Sequence, residues 1–430
     1  MRILFFSHYY PPENNAPAVR TAAHCRAWAA EGHDVTVVTC APNHPRGELF
    51  PGYKNKFFQQ ETVDGVKVVR VYSYLAANEG TFRRILNFVS YMVSAVVASF
   101  FLRRADVVIA TSPQFFCGWA GVFARLIHRA PFILEIRDIW PESIVAVGAM
   151  KNRFIIRLLE TLERIMYWSA TKIVTVGKGY KSQLCARGVP EKKISIVYNG
   201  ADLDLFQQGD PAEFALPFPS TVKFICTYVG TVGMAHGLSV ALEAALKLRE
   251  EGRSEIGFAI VGDGAERSNL EAEARRLGLS NVVFTGQVPR TAIPSILRQS
   301  SCCLVHLKNT QLFTTVIPSK IFEMLAAEKP IIIGVRGEAR EIVEAANAGV
   351  FMTPGSATEL ATIAAKLSSD SELLARLGSS GKSFVEQEFS REHFANEYLH
   401  LIESLSRRGS GRRRKVRTQS QHLQSHKLHS

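Results

Sequence analysis

The feature that most constrains this chain is an alternation. Short apolar runs rich in β-branched residues recur at 2–6, 35–40, 66–72, 106–111, 131–137, 172–176 and 194–198, each separated by a stretch long enough for a helix. Strands that pair in parallel need such crossovers, so the spacing predicts βαβ units. The runs are almost continuously apolar, which predicts helices on both faces of the sheet. Those helices are expected at 17–31, ending at Gly32, and at 81–102, 114–128, 151–169 and 178–186. A second series follows, with strands near 222–229, 256–261, 281–285, 302–307, 329–334 and 349–352. Helices at 238–250, 265–277, 291–298, 318–327, 338–346 and 356–368 separate them. The fold class is therefore α/β, with two doubly wound domains facing a central cleft.

A length of 430 residues suits two such domains without disulfide staples. Residues 201–220 carry three prolines and no clear period, and read as a connection between a first domain at 1–200 and a second at 221–382. A last helix over 383–405 has an apolar stripe that should pack back onto a domain. The formal charge of +12 is mostly a tail: residues 407–430 hold eight basic residues and no acid, and are expected to be disordered. Seven cysteines form no CxxC pair and no Cys/His cluster of zinc spacing, which fits a reducing compartment and gives no metal site. The opening MRILFF has no cleavage site and is read as no signal peptide.

Ligands of open parallel sheets bind beyond the carboxyl ends of the strands, so the residues just after each run carry the chemistry. Gly230-Thr231-Val232-Gly233-Met234-Ala235-His236-Gly237 follows a strand and precedes a helix, as a phosphate cradle does, although the glycines lack GxGxxG spacing and could simply make a turn. Pro318-Ser319-Lys320-Ile321-Phe322-Glu323 reads as a helix start with Pro318 at the first helical position. Lys320 there opposes the macrodipole unless an anion is bound. Glu323, one turn along, is either an acceptor for sugar hydroxyls or a solvated charge. Glu135-Ile136-Arg137-Asp138-Ile139-Trp140-Pro141-Glu142 places four ionisable groups in eight residues, as an active-site lip or as an ion-pair brace anchored by Trp140. Finally, His8 and Arg20, after the first strand, are expected to point into the cleft, with a satisfied loop histidine as the alternative.

Taken together, RILFFSHYYPP at the start, GHDVTVVT at 32–39, EIRDIWPES at 135–143, VYNGADLDLF at 197–206, YVGTVGMAHG at 228–237, AIVGDG at 259–264 and PSKIFEMLAAEKPIII at 318–333 resemble the retaining nucleotide-sugar glycosyltransferases of the GT-B class, family 4, in the branch of bacterial surface-polysaccharide assembly. The resemblance spans residues 1–405. It implies two Rossmann-like domains, with the donor nucleotide held mainly by the second, the acceptor mainly by the first, and the C-terminal helix crossing back. It further implies that Gly230 and Thr231 line the diphosphate, that Val288 meets the base through its backbone, and that Glu323 binds the ribose. Lys320 and the backbone near Ser319 would hold phosphate, while Asp138, with Arg137 beside it, would stand near the donor sugar. This chain departs from the family pattern at Thr315, where the first of two paired glutamates is usual, and at Thr231 and His236, where an Arg and a Lys are usual. It also departs at Glu328, where glycine is usual.

The reaction so implied is transfer of a glycosyl unit from a nucleoside diphosphate sugar to a hydroxyl, with retention of configuration. Helix N-termini at 238 and 318, with Lys320, would stabilise the leaving diphosphate without a metal or other cofactor. Residues 85–102 are eighteen uncharged residues between Arg83-Arg84 and Arg103-Arg104. At about 27 Å they are marginal for crossing a bilayer, and a polar stripe of Asn87, Ser90, Tyr91 and Ser94 favours an in-plane membrane helix over a spanning one. A buried domain helix is the alternative. The expected partners are thus a nucleoside diphosphate sugar, a polyprenyl-linked saccharide acceptor and a membrane surface met by 85–102 and the basic tail. The expected site is the inner, cytoplasmic face of the cell membrane. Nucleic acid is not expected, since the tail lacks interleaved aromatics. Two rival readings are a nicotinamide-dependent oxidoreductase, which lacks its glycine fingerprint here, and a membrane-docked scaffold without catalysis.

Overall fold

The computed structural model describes residues 1–406 except 45, 77–80, 113, 141, 143–149, 151 and 208–213. The basic tail 407–430, the middle of the 201–220 connection, and Pro141 and Ser143 of the charged loop lie outside the described residues.

The chain folds as two compact units. The first comprises Met1–Val176, Lys181–Val197 and the described residues from Glu392 on. Its eight-stranded sheet has the order β3-β4-β2-β1-β5-β6-β7-β8. The strands are β1 (Arg2–Phe6), β2 (Asp34–Cys40), β3 (Phe58–Val63), β4 (Val66–Val71), β5 (Val107–Thr111), β6 (Phe132–Ile136), β7 (Lys172–Thr175) and β8 (Ile194–Ile196). All pair in parallel except β3, which runs antiparallel to β4 at the edge. β3 is absent from the expected strands because FQQETV is mostly polar and only half-buried. Helices α1 (Ala16–Ala30), α2 (Thr81–Ser99), α3 (Phe115–His128), α4 (Arg153–Ser169) and α5 (Lys178–Ala186) supply the crossovers. Asn15 and Asn152 start α1 and α4 by accepting first-turn N–H groups.

The second unit comprises Gly177–Tyr180 and Tyr198–Arg391. Its six parallel strands, in the order β11-β10-β9-β12-β13-β14, are β9 (Phe224–Val229), β10 (Ile256–Val261), β11 (Val282–Gly286), β12 (Cys302–His306), β13 (Ile331–Gly334) and β14 (Gly349–Phe351). Helices α6 (Ser239–Glu250), α7 (Arg267–Arg276), α8 (Ile293–Gln299), α9 (Lys320–Ala326), α10 (Glu338–Ala345), α11 (Ala357–Ser368) and α12 (Ser371–Glu388) cover it. Ala201 and Leu216 are buried, so the described parts of 201–220 pack rather than hang free.

One expectation about the chain's end needs correction. The helix read over 383–405 is in fact two: α12 runs from 371 to 388, and α13 from 391 to 406. The break is held by backbone pairing, since the Phe389 carbonyl accepts from Ala201 N–H and Arg391 N–H donates to the Ala201 carbonyl. Continuous apolar spacing hid it, because Phe389 continues the stripe while its φ of −132° leaves the helix. Within the first unit α13 packs on α1: Trp28 Nε1–H donates to the Ala395 carbonyl at 2.9 Å, and the Trp28 and Tyr398 rings meet edge to face at 5.2 Å.

Candidate functional site

In the second unit β9 ends at Val229 and the chain turns at Gly230, whose φ of +139° is a conformation that L side chains rarely adopt. A β-carbon at Gly230 would lie 2.7 Å from the Lys320 Nζ, and one at Gly262 would lie 1.9 Å from the Gly230 carbonyl oxygen. Glycine is therefore required twice, so that β9's end, β10's end and the lysine can converge. Gly230 N–H donates to the Val261 carbonyl and Val232 N–H to the Asp263 carbonyl, which fastens the loop. Thr231 is exposed beside it, and its carbonyl accepts from the Tyr228 hydroxyl at 2.6 Å.

Lys320 opens α9, with Ser319 in the cap position and no side chain capping the helix end. Pro318 is thus not the first helical residue: it precedes the cap, and its carbonyl accepts from Ile321 N–H. The Lys320 ammonium sits 3.7 Å from the centre of the Tyr228 ring. No carboxylate lies within ion-pair distance of it among the described residues. Burial pushes its pKa down to about 7, with Glu323 opposing only weakly. α6, after the glycine loop, likewise starts without a side-chain cap and without an acid in its first turn. The loop therefore presents an unneutralised cation between two helix N-termini whose N–H groups no side chain covers.

His236, which stands where a lysine is usual in the family pattern, joins this centre without a charge. Burial, with the Lys320 charge nearby, pushes its pKa down to about 3, so it is a neutral imidazole and supplies no titrating cation. Its Nδ1 is buried without a hydrogen-bond partner. Its backbone is held by His306, whose Nδ1 lies 2.6 Å from the His236 carbonyl while Nε2 accepts from Gly355 N–H at 2.8 Å. That pattern fixes the proton on Nδ1 and makes His306 a clamp on the loop. Sequence reading missed it, because a histidine ending a strand carries no signal of what it touches.

Glu323 is not a solvated charge. Its Oε1 lies 3.4 Å from Arg290 and 3.6 Å from Arg391, and both guanidiniums also hold Asp202 Oδ2, at 3.3 and 3.2 Å. Asp202 and Asp204 make an Asp-x-Asp pair that the metal-free reading passes over; Asp202 is engaged by these two arginines. Val288, after β11, packs half-buried among Leu216, Val261 and Ile296. Thr315 bonds back to the Leu312 carbonyl at 2.8 Å and lies against Gly179, where a β-carbon would meet its Cβ at 2.8 Å. Glu338, buried nearby, accepts from Gly179 N–H at 3.0 Å and from the Tyr198 hydroxyl at 2.7 Å. Glu328 has φ +59° as the residue after Ala327, the cap of α9, the left-handed position where glycine is strain-free.

In the first unit Arg137 and Asp138 follow β6. Arg137 N–H donates to Ser112 Oγ at 3.0 Å, the Ser112 hydroxyl donates to the Asp138 carbonyl at 3.4 Å, and Trp140 stacks on Phe115 at 5.1 Å. Both side chains remain partly exposed. Glu135, by contrast, is fully buried, braced by Arg20 at 3.4 Å and by the Thr111 hydroxyl at 2.9 Å. Arg20 also donates to the Val197 carbonyl at 3.0 Å. His8 is buried against the rings of Tyr9, Phe88 and Tyr91, and burial pushes its pKa down to about 3. His8 and Arg20 are therefore both buried, drawn in by the first strand and α1.

The facing of the polar stripe on α2 also needs correcting. The stripe of Asn87 and Tyr91 faces inward, with Tyr91 O–H donating to the Val38 carbonyl at 2.8 Å and Asn87 Nδ2 to the Tyr74 carbonyl at 2.5 Å. The outward face of α2 is apolar instead. Among the described residues no helix is long and apolar enough to cross a membrane, and no cluster of three or more His, Cys, Asp or Glu could hold a metal.

Comparison with known proteins gives matches along most of the chain. Residues 15–200 match the family described as glycosyl transferase 4-like domain, and residues 212–384 match glycosyl transferases group 1. A protein of Escherichia coli K12 named for colanic acid biosynthesis, the glycosyl transferase WcaI, is 27% identical over 337 residues, which cover 76% of this chain and 81% of its own. Sucrose-phosphate synthase from Thermosynechococcus elongatus superposes with a TM-score of 0.75 at 16% identity, covering 94% of this chain and 98% of that one. Anabaena HepE in complex with UDP-glucose gives 0.67 at 16% identity, covering 94% and 100%. WaaG, a glycosyltransferase of lipopolysaccharide biosynthesis, gives 0.66 at 16% identity, covering 93% and 99%.

Proposed function

This chain belongs to the GT-B glycosyltransferases of bacterial polysaccharide assembly, and on that premise we propose that it moves a sugar from a UDP-sugar to a hydroxyl of a lipid-linked saccharide, with retention of configuration, at a membrane surface. The observation that carries the donor assignment is the Lys320 ammonium, set against the Tyr228 ring with no carboxylate beside it. A partly desolvated cation without a counter-ion is costly, and a diphosphate relieves that cost. Gly230 and Thr231 line the diphosphate, and Ser319 N–H and the start of α6 add donors. Val288 meets the base through its backbone, and Glu323, oriented by Arg290 and Arg391, takes the ribose hydroxyls. His236, neutral, offers its unpartnered Nδ1. HepE, of the same fold, carries UDP-glucose in its solved structure, which supports a uridine nucleotide as donor.

In the reaction the bond from the anomeric carbon to the β-phosphate oxygen breaks, and a bond from that carbon to the acceptor oxygen forms. The acceptor proton passes to the departing phosphate, whose developing charge Lys320 and the helix N-termini stabilise. Asp138 and Arg137 orient the acceptor hydroxyl. No residue here needs a metal for that work, since the lysine and backbone N–H groups supply the positive potential. Attachment to the membrane surface is proposed through the outward face of α2 and the basic tail.

Thermal shift against UDP-, GDP- and CDP-sugars, followed by detection of released nucleotide with polyprenyl-linked acceptors, tests this. Stabilisation by UDP-sugars that Lys320→Met abolishes is the expected result. Binding that survives the substitution contradicts the donor site, and binding without any turnover favours the scaffold reading.

A further inference from the structure

The exposed apolar side chains of this protein are not scattered. Of sixteen large ones among the described residues, five lie on α2 and the two residues after it, two on α3 and five on α4. On α4 Phe154, Leu158, Ile165 and Trp168 follow helical spacing along the outer face, and Phe154 and Trp168 are 77% and 83% exposed. On α2 Val93 and Val97 do the same, and Phe101 just beyond is 77% exposed. α3 lies between the two. Its Cys117 Sγ is 3.9 Å from the Tyr91 hydroxyl of α2, a β-carbon at its Gly118 would meet Met166 of α4 at 2.4 Å, and its Arg125 donates to the Ser169 carbonyl that ends α4. Phe123 and Leu126 therefore join the outer apolar rows of α2 and α4 into one face rather than a scatter of single exposed side chains.

The charges around this face have one sign. Arg83, Arg103, Arg153 and Arg157 are exposed and have no ion-pair partner among the described residues, while Arg164 lines the groove described next. The acids on these three helices are Glu160 and Glu163, and both turn toward the groove that α4 forms with Ala186 and Arg187. Glu163 is engaged there by Tyr167 and Arg187.

We propose that α2, α3 and α4 form a single docking face that lies flat in the surface of an anionic phospholipid bilayer. The proposal rests on the membrane-surface reading given above for α2 and widens it to three helices. Guanidiniums at the rim pair with lipid phosphates, the apolar rows enter the headgroup and acyl boundary, and Trp168 takes the amphipathic position that indole favours there. A second copy of the chain fits the face poorly. A two-fold interface would set arginine rims against like rims, with no acid on the face to pair them.

The test uses full-length protein with vesicles of phosphatidylcholine, alone or mixed with phosphatidylglycerol, read by flotation at low and high salt. The wild type is expected to float with the mixed vesicles and to remain bound at high salt, where attraction by a basic tail alone is screened. Phe154→Ser combined with Trp168→Ser should weaken that binding by about tenfold or more, with the UDP-sugar thermal shift unchanged as the check on folding. Addition of mixed vesicles should blue-shift the tryptophan emission, and Trp168→Phe should remove the shift. Unchanged flotation of the α4 double variant, with loss in Val93→Ser/Val97→Ser, would confine docking to α2 and overturn the three-helix face. A wild-type dimer in solution that the α4 variant dissociates would overturn it in favour of self-association. Failure of the wild type to float under any condition would defeat the membrane-surface reading itself.

Discussion

The Lys320 ammonium lies 3.7 Å from the centre of the Tyr228 ring, and a β-carbon on Gly230 would approach that same nitrogen to 2.7 Å. The ring face gives the cation its nearest attraction, worth about 0.5–2 kcal/mol for such a pair, which is too little to offset its desolvation. The remaining deficit appears as the depressed pKa of about 7, and it is what the proposed diphosphate would remove.

Donor binding should therefore depend on pH with a definite sign. A bound anion favours the charged lysine, so its pKa is higher in the complex than the value of about 7 in the free protein. Affinity should be highest below pH 7 and fall as pH rises through and beyond it, by up to about tenfold per unit until the pKa of the complex is reached. Calorimetric titration of a UDP-sugar, whose diphosphate does not titrate in this range, measures it. Lys320→Met should weaken binding by roughly 1–3 kcal/mol below pH 7 and flatten the profile. A sloping profile in that variant contradicts the assignment.

Gly230→Ala should harm binding more than folding. The new methyl must displace the ammonium, and the residue must hold φ near +139°, at a cost of roughly 1–3 kcal/mol. Loss of the UDP-sugar thermal shift in a protein that still unfolds cooperatively is the expected outcome. Wild-type affinity would show that the lysine can yield.

Glu323→Ala should weaken the donor by roughly 1–3 kcal/mol, since a charged acceptor for the ribose is lost. Arg391→Met should raise KM in the same direction with a smaller effect, because Arg290 still holds the carboxylate at 3.4 Å. Steady-state kinetics on both separates a ribose contact from a merely structural ring of charges, in which both would lower the melting temperature and leave KM alone.

Glu328→Gly should stabilise the second unit by about 1 kcal/mol. The left-handed φ of +59° costs a non-glycine residue about 1–2 kcal/mol, part of which glycine returns as backbone entropy in the unfolded chain. The ion pair to Lys382 is exposed at 3.4 Å and contributes little. A melting point that rises by a few degrees is expected, and a fall would mean that the contact outweighs the strain.

Asp138→Asn should lower turnover roughly 10–100-fold, as misplacement of a reactant does, while the donor dissociation constant and the melting temperature stay near wild type. An equal drop in stability would make Asp138 a brace like its neighbour Glu135.

Most strands and helices were legible because each rests on a local rule. β1, at 2–6, and β10, at 256–261, fall where their apolar runs begin and end, since a strand buried on both faces must be apolar throughout. β3 escaped that rule, because an edge strand half in solvent needs no such run. The site was legible only in part. Gly230 and Lys320 carry local signals, a glycine after a strand and a cation at a helix start. His306 and the arginines around Glu323 carry none, since their roles come from partners 33 to 189 residues away.

What the sequence alone determined is thus the alternation, the βαβ rhythm and the family to which its motifs point, all consequences of short-range periodicity and steric rules. Tertiary structure decided where charges and faces ended up. It turned the polar stripe of α2 inward to Val38 and Tyr74, drew His8 and Arg20 into the core, and left Lys320 facing a ring instead of a carboxylate. The physical reason is that periodicity shows a helix to be two-faced without showing which face meets water. A charge's state is set by groups that only the fold brings within a few ångströms.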